Sequence, residues 1–216
     1  MRVLVTAGPT REPIDPVRFL SNRSSGRMGY ELAAAFQHSG HSVLLISGPT
    51  ALDVPDGVDF IPVETAGEMD EAVRGQIGRM DVAVFAAAVA DYTPAVLEGQ
   101  KIKKSAESYR LELVRTPDIL GAARQEMGFG GTLVGFAAET EHLLQNAREK
   151  LDRKRCDLII ANLVSTPGIG FDAVDNEVTL LTKDAVTALP RASKHDLAHR
   201  LVDVILEIHQ SKCGSH

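Results

Sequence analysis

Val3-Leu4-Val5-Thr6-Ala7-Gly8 opens the chain, and Met28, Leu32, Ala35 and Phe36 recur a short distance after it. The first is a short apolar run ending in small residues, as in a buried strand. The second, at i, i+4, i+7 and i+8, is one stripe of a helix. Gly40 follows as the expected C′ residue of that helix. Between strand and helix lies the long insertion 8–26, which ends in Ser21-Asn22-Arg23-Ser24-Ser25-Gly26.

Working outward, strand-like runs at 42–47, 59–63, 82–87, 132–137 and 158–161 alternate with amphipathic stretches. That alternation predicts an α/β fold: a Rossmann-like, mostly parallel sheet with helices on both faces. Thr116 and Pro117 read as the N-cap and first residue of another helix. Near the C-terminus, 176–182 and 185–189 flank Lys183-Asp184 as an antiparallel hairpin. A last helix from Ser193 carries Leu197, Leu201, Ile205 and Ile208 at helical spacing. The expectation is a single domain over 1–210, followed by a frayed tail at 211–216.

The composition is that of a soluble protein: 216 residues, 44% apolar and 24% charged. With 23 basic against 29 acidic residues the net charge is −6, which disfavours generic binding to nucleic acid or anionic membranes. A polyanionic ligand then requires a locally basic pocket. Cys156 and Cys213 form no CxxC pair or disulfide framework, and no apolar run approaches ~20 residues. These features predict a cytoplasmic location.

The loops 8–26 and 90–108 are too long for plain connections, which suggests function. Three strand ends, at 6–8, 86–91 and 135–138, are rich in small residues. Such residues serve either close helix–sheet packing or a ligand lying on the backbone. Residues 21–26 offer hydroxyls and amides beside a helix N-terminus, either an anion nest or a plain cap. Ile46-Ser47-Gly48 lacks the acidic residue that would hold an NAD ribose, which argues against a dinucleotide.

Lys101-Ile102-Lys103-Lys104 is the most basic short stretch, suited to a polyphosphate or simply solvated. Lys150 and Lys154 share one helix face with Arg148, Arg153 and Arg155 nearby. His195 and His199 lie four apart, but His-Asp-Leu-Ala-His is not HExxH and offers no third metal ligand. Cys156, ahead of a strand, reads as core rather than nucleophile.

Taken together, TAGPTREPIDPVRFLSNRSSG, AAAVADYTP, the KIKK run, residues 116–120, GFAAET and the Lys150/Lys154 helix resemble the phosphopantothenoylcysteine synthetase family, ligases of coenzyme A biosynthesis. The match covers nearly all of 1–208. The resemblance implies that CTP activates 4′-phosphopantothenate to an acyl-cytidylate, which L-cysteine converts to the amide with release of CMP. It implies CTP contacts at Phe85, Ala86, Ala87, Asp91, Lys101, Pro117, Asp118, Ile119, Leu120, Phe136, Lys150 and Lys154. It also implies catalytic roles for Asn22 and Lys101, Mg²⁺ with ligands left open, and a homodimer to which the arm at 109–115 contributes. CTP rather than ATP rests on the resemblance alone. No flavin-dependent decarboxylase precedes Met1, so the chain reads as a free-standing synthetase or an excised half of a bifunctional protein. The alternatives are an NAD(P)-dependent reductase with a variant Rossmann loop and a non-catalytic nucleotide sensor.

Overall fold

In the computed structural model, which describes residues 1–104, 108–163 and 175–214, the first apolar run becomes β1 (Arg2–Ala7). The insertion after it folds into a ribbon of β2 (Arg11–Pro13) and β3 (Phe19–Ser21), and then comes α1 (Arg27–His38). β4 (Ser42–Ser47), β5 (Asp59–Pro62), α2 (Ala66–Gln76) and β6 (Val82–Phe85) follow. A second ribbon pairs β7 (Tyr92–Pro94) with β8 (Leu113–Arg115). The chain continues through α3 (Ile119–Gln125), β9 (Thr132–Glu139), α4 (Leu143–Lys154) and β10 (Leu158–Leu163). It closes with β11 (Asp175–Leu181), β12 (Val186–Ser193) and α5 (Lys194–Gly214).

Eight strands form one sheet in the order β12-β11-β10-β9-β6-β1-β4-β5. All pairings from β10 to β5 are parallel, and β11 and β12 are antiparallel. The parallel part reverses direction of assembly between β1 and β6, so a crevice opens there beyond the strands' carboxyl ends. The expected α/β class, with antiparallel strands near the C-terminus, is what the chain adopts.

The central strands β1, β4, β6 and β10 are largely apolar and buried because both faces are covered. Val3, Val5, Val82 and Val84 pack under α1 and α5 with Leu32, Phe36, Leu201 and Ile205. Leu4, Ala83, Leu133 and Ile159 pack under α2, α3 and α4 with Met69, Ile119 and Leu151. At the crevice the first turn of α1 lies directly on β1. A Cβ on Gly29 would come within 2.5 Å of the Ala7 Cβ, so the small pair sets how close the helix amino end stands to the strand. Gly40 ends α1 as expected. Its N–H donates to Gln37 O and the next N–H, of His41, to Phe36 O, a Schellman closure.

Two expectations are corrected. The N-cap of α3 is Asp118, whose carboxylate accepts from the Gly121 N–H at 3.1 Å. The Thr116 hydroxyl instead donates to Ala90 O at 2.5 Å, a tertiary bond that removes it from capping. The tail is not frayed from residue 211, because α5 runs on to Gly214. Lys212 Nζ donates to Gly131 O at 2.9 Å and to both Asp157 carboxylate oxygens at 3.0 Å. Residues 215 and 216 lie outside the described part. Asp157 also takes Arg124 at 2.6 Å and the Leu133 N–H at 2.7 Å, so Lys212→Met leaves it partnered. A partly exposed charge-assisted bond of this kind contributes about 1 kcal/mol. The expected result is a fall in melting temperature of roughly 2–4 °C, measured by circular dichroism. An unchanged melting temperature would show that the helix end is held by packing alone.

Candidate functional site

The crevice is a cleft of about 680 Å³. Its floor is the carboxyl ends of β1 and β6, with Thr6, Phe85, Ala86 and Ala87, and its walls come from the two helical layers. On one side the unsatisfied amides of α1's first turn face it at Arg27, Met28 and Gly29. Gly26 caps that helix in the left-handed region at φ 77°, with no side chain on the turn. Ser24 and Ser25 complete this anion-attracting corner. In the 21–26 segment the Ser24 hydroxyl accepts from the Gly26 N–H at 3.2 Å, and no N-cap side chain bonds to the α1 amides.

Asn22 follows β3 at the cleft's edge, and its Nδ2 donates to Ala88 O at 2.8 Å. Ser21, just before it, is tied by its hydroxyl to Thr10 O at 2.8 Å. Two strand-end loops thus fix the Asn22 backbone and its side-chain nitrogen.

The opposite wall is cationic. Lys150 and Lys154, one turn apart on α4, both line the cleft. Lys150 Nζ donates to Phe136 O at 2.7 Å, and burial lowers its pKa below the ordinary lysine value. Lys154 pairs with Asp118. Burial opposes ionisation of Asp118, but Lys154 and the Gly121 N–H outweigh it and hold the carboxyl below its usual range. Asp118 therefore caps α3 and orients a lysine at once.

All of the expected site residues except Lys101 line this cleft: Asn22, Phe85, Ala86, Ala87, Asp91, Pro117, Asp118, Ile119, Leu120, Phe136, Lys150 and Lys154. Lys101 is exposed and is not among the lining residues. Its segment packs instead against the loop that carries Asn22. Cys156 is buried core, its thiol pushed up to about 12 chiefly by burial. His195 Nδ1 meets Glu31 at 3.1 Å.

Three buried polar lining residues escaped the sequence reading. Asn162, Asn176 and Lys194 are 9%, 5% and 5% exposed and reach the cleft from β10, β11 and the start of α5. Asn162 makes no side-chain hydrogen bond to the described residues and is available to a polar ligand. A signal existed for it, since an asparagine ends the otherwise apolar run Leu158-Ile159-Ile160-Ala161.

The carboxylates of the lining are Asp91 and Asp118. Among the described residues no group of three or more His, Cys, Asp or Glu is placed to hold a metal ion. Mg²⁺ takes one or two carboxylates together with substrate phosphates, and of the two lining carboxylates Asp118 is paired with Lys154 and Asp91 is not. No helix among the described residues is long and apolar enough to cross a membrane.

An α/β domain wound in this order, with a helix amino end and two lysines lining the crevice at the switch point, is of Rossmann-like type. The family described as the DNA/pantothenate metabolism flavoprotein C-terminal domain matches residues 1–208, and the chain belongs to it. It is 47% identical over 208 residues to the coenzyme A biosynthesis bifunctional protein CoaBC of Bacillus subtilis (strain 168), covering 94% of this chain and 50% of that protein. The corresponding protein of Escherichia coli (strain K12) is 40% identical over 215 residues, covering 98% and 53%. The chain thus spans about half the length of the curated relatives it matches. A crystal structure of the C-terminal domain of a CoaBC protein superposes with a TM-score of 0.81 at 40% identity, covering 97% of this chain and 96% of that one. A DNA/pantothenate metabolism flavoprotein from Streptococcus pneumoniae gives 0.83 at 26% identity, covering 97% and 100%. The family membership read from the motifs is borne out.

Proposed function

We propose that the chain is a phosphopantothenate–cysteine ligase that uses CTP. The observation that carries this reading is the convergence, in one cleft, of the α1 amide end, Asn22, and Lys150 and Lys154, on a chain whose relatives belong to coenzyme A biosynthesis. A carboxylate is a poor acyl donor until its oxygen becomes part of a good leaving group. In the first step a carboxylate oxygen of 4′-phosphopantothenate bonds to the α-phosphorus of CTP, and the bond to pyrophosphate breaks. In the second the cysteine amine forms the C–N bond, loses a proton, and CMP departs with the electron pair.

The protein's part is alignment and charge neutralisation. The α1 amides attract phosphate oxygens, and the Phe136, Lys150 and Lys154 wall takes the nucleotide. Asn22 presents a carboxamide to the carboxylate without adding charge. Asp91 is positioned to support Mg²⁺, which would neutralise charge on the triphosphate when bound. Lys101, exposed and outside the lining, is the cation we assign to the reacting phosphates.

One assay tests the reading: pyrophosphate release from CTP and 4′-phosphopantothenate, with and without L-cysteine. Release requiring the pantothenate substrate, with amide formed only when cysteine is present, is expected. NADPH binding without any CTP response would favour a reductase, and CTP binding without pyrophosphate release a nucleotide sensor. Comparable turnover with ATP would overturn the CTP assignment alone.

Lys150→Met tests the nucleotide wall. Methionine keeps the buried stem but removes the ammonium and its charge-assisted bond, worth about 1.5–3 kcal/mol. The KM for CTP is expected to rise roughly 10–100-fold with the fold intact. An unchanged KM would remove Lys150 from the nucleotide site.

We also propose a cytoplasmic homodimer. Val96, Leu97, Tyr109, Leu113 and Val114, on and beside the β7–β8 ribbon, are 41–67% exposed. Exposed apolar side chains gathered on one ribbon favour an interface, and a second copy is the occupant we assign to it. A solution mass near one chain at micromolar concentration would refute this.

A further inference from the structure

One carboxylate holds the loop between β1 and α1 against the 101–104 segment. Asp15 is 2% exposed. Its Oδ1 accepts from the Val17 and Arg18 N–H groups, both at 2.9 Å, closing the turn between β2 and β3. Its Oδ2 accepts from Arg18 Nε at 3.0 Å and from the Ile102 N–H at 3.1 Å. Arg18 Nη2 also pairs with Oδ2 and donates to the Ile102 carbonyl at 3.0 Å.

Both backbone groups of Ile102 are therefore held by one Asp–Arg pair. Just upstream, the Glu98 N–H donates to Ile14 O at 3.1 Å, so the two segments touch at two successive points. Residues 99–104 belong to no helix or strand. The Ile102 bonds are the hydrogen bonds those residues make to the described chain. On the other side, the same turn feeds β3, which ends at Ser21 immediately before Asn22. One buried acid thus stands between the two residues assigned to the chemistry. Arg18, with the three N–H groups and against the opposition of burial, holds the Asp15 carboxyl well below the usual carboxylate range, so it is charged at neutral pH.

We propose that Asp15 is a positioning residue: through Ile102 it anchors the Lys101 segment to the ribbon that ends at Asn22, and so sets where the Lys101 ammonium meets the reacting phosphates. The kinetic part rests on the ligase reading, whereas the anchoring part does not.

Asp15→Asn is the discriminating variant. It keeps an oxygen for Val17 and Arg18, so the turn survives, but it turns an N–H₂ toward the Ile102 N–H and the guanidinium. Donor then faces donor, and the anchor is lost. Ile102→Pro removes the same bond from the other side by deleting the N–H, and leaves Asp15 and Arg18 in place.

Limited trypsin digestion of the full chain reads the anchor without any ligand, at the bonds after Lys103 and Lys104. Cleavage there is expected to quicken about tenfold or more in both variants, since local opening becomes easier. The same variants are assayed for kcat and for CTP affinity. The expected outcome is a fall in kcat of about tenfold, CTP affinity within about twofold of the parent, and a double variant no worse than the more severe single one. Folded Asp15→Asn with parental cleavage rate, or quickened cleavage with parental kcat, would overturn the proposal. If Asp15→Asn does not fold, Ile102→Pro alone decides by the same two readings. A parent protein that forms no product would defeat the ligase reading, while the tryptic comparison still decides the anchor.

Discussion

Asn22→Asp is expected to leave CTP binding close to normal and to slow the cysteine-dependent half-reaction by roughly 10²–10³, the cost of losing one preorganised donor at a developing charge. The replacement is nearly isosteric, so the loop should keep its shape. What changes is chemical. The Nδ2 that donates to Ala88 O at 2.8 Å becomes a carboxylate oxygen facing a carbonyl, beside substrates that are themselves anionic. Repulsion turns the side chain out of register, and the acyl-phosphate loses its neutral partner. The nucleotide wall at Phe136, Lys150 and Lys154 is built from other elements and is not disturbed. Acyl-cytidylate should therefore accumulate in a quenched reaction without cysteine and persist when cysteine is added. Loss of CTP affinity with no intermediate would place Asn22 in nucleotide binding instead.

The parallel strands were legible because burial on both faces writes them as unbroken apolar runs, as in β1 and β10. α1 was legible because its stripe is strong and Gly40 stops it. α2 was not read, although Thr65-Ala66-Gly67-Glu68 carries the capping box that the structure forms. The ribbons β2–β3 and β7–β8 are three residues per strand, too short for any period to show. The α3 cap was misplaced because Thr116 and Asp118 are both cap-type residues, and only the tertiary bond from Thr116 to Ala90 chooses between them. Motif positions close to strand ends, such as Phe85–Ala87 and Phe136, line the cleft. Asn176 and Lys194 escaped notice because the hairpin and last helix bring them to the cleft only in three dimensions, whereas Asn162 stood at the end of the apolar β10 run and was passed over. Sequence spacing likewise could not show that Lys101 stands outside the lining.

Lys101→Gln is expected to reduce cysteine-dependent product formation by roughly 10²–10³, on the order of 2–4 kcal/mol of transition-state stabilisation. Folding should survive, because the side chain is exposed and makes no hydrogen bond to the described residues. Glutamine keeps much of the length and polarity but removes the cation, so the loss reads charge rather than shape. The position outside the lining strengthens the kinetic signature. A lysine that is not part of the nucleotide wall contributes little to holding CTP in the ground state, so the loss belongs in kcat, with the KM for CTP nearly unchanged. Lys104, two residues beyond Ile102, serves as the internal comparison. It belongs to the same basic run, and Lys104→Gln removes the same charge from the general field. If the run acts only as a diffuse positive patch, both variants lose a similar modest amount, and the loss shrinks with added salt. If Lys101 acts as a single placed cation, its variant alone collapses and salt changes little. Both are measured with circular dichroism as the folding control, and near-parental turnover in folded Lys101→Gln would remove this residue from the chemistry.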